Sequence, residues 1–147
     1  MSLFNSINIS ASGLTAERLR MDLISENIAN ANTTRTPSGT PYRRKVAVFR
    51  EQEASSFDAI LSNASNNYSS RGKGVEVAGI MEDQSPFKKE YNPNHPDADE
   101  EGYVSLPNVE IVNEMINLIS ASRAYEANVT SVNDTKSMAM KALEIGK

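Results

Sequence analysis

The chain has 147 residues, 39% hydrophobic and 23% charged, with a formal charge of −4. That is one domain of ordinary size, without the unbroken apolar run of about 18 residues that a membrane span needs and without the basic patch of a nucleic-acid binder. Cysteine is absent and His95 is the single histidine, so a disulfide framework, a thiolate metal site and a cysteine nucleophile are excluded, and a Ser-His-Asp triad or zinc site would rest on that one residue. No catalytic residue, metal site or cofactor site is expected.

The opening stretch Met1-Ser2-Leu3-Phe4-Asn5-Ser6 has no basic n-region and no apolar h-region. No cleavable secretory signal is expected there, so the chain either stays in the cytosol or leaves the cell by another route. Residues 1 to 32 hold one glycine and no proline, and 108 to 145 hold neither, whereas all six prolines lie between 37 and 107. Breakers confined to the middle predict two long terminal helices around a turn-rich centre. The expected division is residues 1 to 34, 35 to 106 and 107 to 147.

In the first segment Ile7, Leu14, Met21 and Ile28 recur every seven residues, flanked by Leu3, Ala11, Ile24 and Ala31. Such a stripe seeks a partner helix. Tyr42 to Arg50 alternates as a strand, with Tyr42, Val46 and Val48 on one face and Arg43, Lys45 and Phe49 on the other. Arg43-Arg44-Lys45 reads either as a contact to phosphate or as the exposed ends and salt-bridge partners of an edge strand. Three charges favour the second. Residues from about 54 to 74 are rich in Ser and Asn around Phe57, Ile60 and Leu61 and read as a mobile loop. Val75 to Glu82, Phe87 to Tyr91 and Tyr103 to Leu106 complete a small expected sheet.

Between the last two, Asn92-Pro93-Asn94-His95-Pro96 is dense in turn formers, and Asp97-Ala98-Asp99-Glu100-Glu101-Gly102 looks like the first half of a calcium loop. The twelfth position of that loop would be Asn108 instead of the bidentate Glu calcium requires, so a solvated turn is the better reading.

Pro107 and Glu110 suit a helix start. From there Ile111, Met115, Leu118, Ser122, Tyr125, Val129, Val132, Lys136, Ala139 and Leu143 follow 4-3 spacing, a heptad stripe interrupted at Ser122 and Lys136. Periodicity fits an intramolecular bundle as well as packing between chains. One apolar seam returns less than the ordering of so long a helix costs, which favours termini that order when several copies bundle. The fold class expected is α+β, mainly α, with long antiparallel terminal helices forming a coiled coil around a small β-rich centre.

Asn27-Ile28-Ala29-Asn30-Ala31-Asn32-Thr33-Thr34 resembles the N-terminal signature of bacterial flagellar rod and hook proteins, and Ser122-Arg123-Ala124-Tyr125-Glu126-Ala127-Asn128 resembles their C-terminal signature. The tract from Tyr91 to Asp97, with Asp99 to Val104, is similar to the segment that sets the proximal rod subunits apart. The resemblance runs end to end, and the middle is too short for the outer domains of distal rod or hook proteins.

The resemblance implies a non-enzymatic structural subunit of the flagellar basal body. It would be exported without a cleavable signal peptide by the flagellar type III apparatus and polymerise in the periplasm as a tube around the export channel. Implied neighbours are copies of itself, the rod proteins FlgB, FlgF and FlgG, and the adaptor FliE, with no nucleic acid and no membrane insertion. By position, Asn27, Asn30, Asn32 and Thr33 would shape the end of the first helix, and Arg123, Tyr125, Glu126 and Asn128 would pack in the helical layer. Where many rod and hook proteins carry a Gly-aromatic pair, Arg35 to Tyr42 is longer and holds two prolines, so the resemblance does not set the path of that connection. The rival reading is a helical adaptor, associated with export, that captures a partner helix in a groove.

Overall fold

A computed structural model describes residues 3 to 52 and 73 to 145. The loop expected over 54 to 74, with Phe57, Ile60 and Leu61, lies outside the described residues but for its last two. The order of elements is α1 (Leu3–Ala29), β1 (Lys45–Glu51), β2 (Val75–Glu82), β3 (Lys88–Tyr91), β4 (Tyr103–Leu106) and α2 (Ile111–Ile145). The fold is mainly helical, with helices at both ends. No helix among the described residues is long and apolar enough to cross a membrane.

The four expected strands form two separate ladders, β1 with β2 and β3 with β4, instead of one sheet. β3 and β4 run antiparallel with Lys88 opposite Leu106 and Tyr91 opposite Tyr103. In the other ladder the Asp83 N–H donates to the Arg44 carbonyl at one end and the Gln52 N–H to the Gly74 carbonyl at the other, the signature of antiparallel pairing. Val46 and Val48 share the exposed face of β1, while Lys45, Ala47 and Phe49 on the other are half-buried. Alternation sets which residues share a face but not which face is covered.

The chain divides into two compact units, one of Met1–Arg18, Phe49–Ala78 and Arg123–Lys147, the other of Leu19–Val48 and Gly79–Ser122. In the first, the Ser10 hydroxyl donates to Ser131 Oγ at 3.3 Å. A Cβ at Gly13 would stand 3.0 Å from the Asn128 amide nitrogen, so only a residue without a side chain lets the two helices approach there. The Val75 N–H donates to Ser12 Oγ at 3.1 Å. Directly before it, a Cβ on Gly74 would run into Ser12 Oγ and stand 2.9 Å from Gln52 Oε1. Gly74→Ala must push Ser12 aside and break its bond to Val75. We expect a loss of about 1–3 kcal/mol in urea unfolding, whereas Gly79→Ala, where a Cβ meets nothing within 4 Å, has no comparable packing cost.

In the second unit, α1 ends through its own side chains. Asn30 Nδ2 donates back to the Glu26 carbonyl at 2.9 Å and its Oδ1 accepts from the Thr33 hydroxyl, which closes the last turn. The connection onward is compact. Gly39, at φ 79°, makes the turn between Thr36 and Thr40, and the Tyr42 N–H returns to the Thr33 carbonyl. The small apolar centre here is Ala31, Tyr42 and Val109.

The start of α2 is Ile111, four residues beyond Pro107. Pro107 is fully buried, and Asn108 uses its side chain to bind other segments, so these residues serve as an anchor and the first helical bond runs from the Glu114 N–H to the Glu110 carbonyl. In the loop before it, Gly102 takes φ 82°, and the Asp99 carboxylate accepts the N–H groups of Glu101 and Tyr103. Asp97 accepts the Thr34 hydroxyl and His95 Nδ1 accepts the Asp97 N–H. The loop's carboxylates thus hold turns together.

Candidate functional site

Two features stand out, a buried polar hub in the second unit and an apolar face of α2 turned to solvent. The hub begins with Asn27, wholly buried on α1. Its Oδ1 accepts the Lys45 N–H and the Tyr42 hydroxyl, both at 2.9 Å. Its Nδ2 donates to the Lys45 carbonyl at 2.9 Å and to Glu114 Oε2 at 3.0 Å. All four hydrogen-bonding positions of the amide are used. By taking both backbone groups of Lys45, Asn27 behaves as one rung of a ladder and fixes the helix to the first residue of β1.

Glu114, 1% exposed, carries the hub onward. Its Oε1 accepts the Arg44 Nε–H at 2.8 Å and lies 2.8 Å from Nη2, so the buried carboxylate has a cation beside it. Arg44 also meets Asp83 at 3.4 Å. Asn108 closes the circuit, accepting the Arg44 N–H at 2.9 Å and donating to the Asp83 carbonyl at 2.9 Å. Asp83 is held below the usual carboxylate range by the Ser85 hydroxyl and N–H it accepts, with Arg44 adding to them. The basic triplet is therefore paired within the chain. Arg43 lies over the Phe87 ring at 4.4 Å, Arg44 serves Glu114 and Asp83, and Lys45 pairs with Glu26.

The Tyr42 phenol is pushed up to about 12, first by burial and then by the charges of Glu26, Glu114 and Glu82. Between pH 10 and 12 the unfolded chain has given up this proton and the folded chain keeps it, so the unfolded state binds fewer protons and stability falls as pH rises through that window. Two units amount to about 2–3 kcal/mol. We expect a decline of that order in unfolding free energy across the window in the native chain, and its disappearance in Tyr42→Phe.

The second feature is the orientation of α2. Glu114, Ala121 and Thr135 are buried and Asn128 is half-buried, a line of residues at intervals of seven turned toward the rest of the chain. The bulky apolar residues lie elsewhere. Ile111, Val112, Met115, Ile116 and Ile119 are 43–65% exposed, and Leu143 near the far end is 75% exposed. Of the expected stripe, Leu118, Tyr125, Val129 and Val132 are half-buried. On α1, Ile7, Leu14, Met21 and Ile28 are half-buried, while Ser10, Gly13, Ala16, Leu23, Ile24 and Asn27 form the buried line, and Ala31 just past the helix end is buried too. Among the motif residues, Asn32, Arg123 and Glu126 are exposed, and Asn128 donates to the Ala124 carbonyl.

Glu114, Asn108 and Asp83 escaped the sequence reading. One signal was present: Glu114 is the single charge in the run from Ile111 to Ser122, and a lone carboxylate among apolar neighbours asks for a buried partner.

Comparison with known proteins agrees with this architecture at both ends. A family model described as flagella basal body rod protein matches residues 7–35, and one described as flagellar basal body rod FlgEFG protein C-terminal matches residues 100–145. The flagellar basal-body rod protein FlgC of Bacillus subtilis is 50% identical over 151 aligned residues that cover 100% of both chains. That of Borreliella burgdorferi is 50% identical, covering 99% of this chain and 98% of its own. That of Salmonella typhimurium is 41% identical, covering 100% of both. With identity at this level from end to end, the chain belongs to the FlgC family of flagellar basal-body rod proteins.

Proposed function

We propose that this chain is a structural subunit of the proximal flagellar rod, built into the periplasmic tube around the export channel through its terminal helices. The observation that carries the reading is the inversion of α2, which keeps polar and small side chains on its inner line and leaves a row of isoleucine, valine and methionine in water. A stable solitary protein hides such a row, and a subunit that finishes its packing on neighbours displays it. In the proposed subunit α1 and α2 pair as an antiparallel coiled coil. Supporting this, Ser10 meets Ser131 and Gly13 approaches Asn128, so within that unit α1 numbers rise as α2 numbers fall.

The stripe residues of both helices, from Ile7 to Ile28 and from Ile111 to Leu143, supply the assembly contacts in this reading. Neighbours are further copies, the rod proteins FlgB, FlgF and FlgG, and the adaptor FliE. Delivery is through the flagellar type III export apparatus without a cleavable signal peptide. No catalytic role is assigned to any residue.

The test replaces the chain in a flagellated host by Ile116→Asp/Ile119→Asp. Both positions are more than half exposed, so the isolated variant keeps its helix content by circular dichroism. The reading predicts that it is missing from purified basal bodies and that swimming stops. Normal incorporation and swimming would overturn it.

A further inference from the structure

We infer that the outer face of α2 receives an amphipathic helix of another subunit whose arginine or lysine enters the cleft beside Glu110. This rests on the rod reading and names the chemistry of the partner. The cleft holds about 400 Å3 and is lined by Arg44, Asp83, Asn108, Glu110, Asn113, Glu114, Ile116 and Asn117. It opens along the apolar row, because Ile116 belongs to both. Ile111 and Val112, Met115 and Ile116, and Ile119 recur at helical spacing, which makes a straight ridge for a second helix.

Charge and hydrogen-bond polarity then select what the second helix carries. Three carboxylates face one guanidinium in the cleft, and Arg44 is already engaged by Glu114 and Asp83. Glu110 is exposed and makes no ion pair among the described residues. Asn108 Nδ2 spends both its hydrogens on the carbonyls of Asp83 and Ser85, while Asn113 Nδ2 gives one to Glu110 at 2.7 Å and Asn117 Nδ2 one to Glu114 at 3.4 Å. At the rim this leaves the Glu110 carboxylate, the Oδ1 atoms of Asn113 and Asn117 and one N–H of each of those amides. Acceptors outnumber donors there and the charge is negative, so a group with many donors and a positive charge fits it. Guanidinium, planar with five donors, meets the requirement best. An incoming glutamate would face the carboxylates with two amide N–H groups alone to bind it.

The probe is a pair of synthetic amphipathic helical peptides with leucine at every a and d position, identical but for one central Arg or Glu beside the apolar row. Binding to the full-length chain is read by fluorescence anisotropy. The Arg peptide is expected to bind about tenfold or more tightly than the Glu peptide, because reversing the charge sets like charges together. In Glu110→Lys, which leaves the hub untouched, the preference reverses. Equal affinities, a preference that survives Glu110→Lys, or no binding of either peptide would each overturn the inference. None of these outcomes bears on incorporation into basal bodies, which tests the rod reading separately.

Discussion

Asn27→Leu removes about 3–5 kcal/mol of stability, among the largest losses expected of a single substitution in this chain. The leucine fits the space but strips partners from the Lys45 N–H and carbonyl, the Tyr42 hydroxyl and Glu114 Oε2 in one step. Each buried group left unmade costs about 1–3 kcal/mol, and some recover a partner by relaxing. Against a total of about 5–15 kcal/mol for a domain, the variant is expected to show a broad, early melt by circular dichroism. A shift below about 1 kcal/mol would mean that the hub does not join α1 to β1.

The Arg44–Glu114 pair gives the second large effect. Glu114→Leu leaves Arg44 with only the more distant Asp83, and Arg44→Met leaves a carboxylate 1% exposed with amide donors alone. Either is expected to cost about 3–5 kcal/mol. The double variant Arg44→Met/Glu114→Leu removes both charges and replaces them with apolar groups, so its loss falls well short of the sum of the two. A double-mutant cycle in urea is expected to return a coupling of about 2 kcal/mol or more, and additive losses would show that the two side chains do not depend on each other.

Much of the architecture was legible because it rests on local chemistry. Breaker-free ends gave the two helices, and alternation placed β2 and β4 over their observed ranges. What failed depended on tertiary context. Alternation puts Val46 and Val48 on one face without saying that this face is the exposed one, and four strands became two ladders because nothing local says which strands meet. On α2 the stripe was plain, but periodicity is blind to what the opposite side touches. The inner line turned out to run through Glu114 and Asn128, residues whose burial depends on partners 87 positions away at Asn27 and at Gly13. Locally, Asn27 is legible only as part of a motif. Its role as a rung beside β1 depends on Lys45 arriving 18 residues later, a distance no local rule spans.

Methionine oxidation tests the inversion of α2 most directly. Met115, Met138 and Met140 are each more than half exposed, so dilute peroxide should oxidise all three at similar rates in the isolated chain. In purified basal bodies the account predicts that Met115 is protected about tenfold or more, because a neighbouring helix covers it. Equal oxidation of Met115 in the free chain and in the basal body would contradict it.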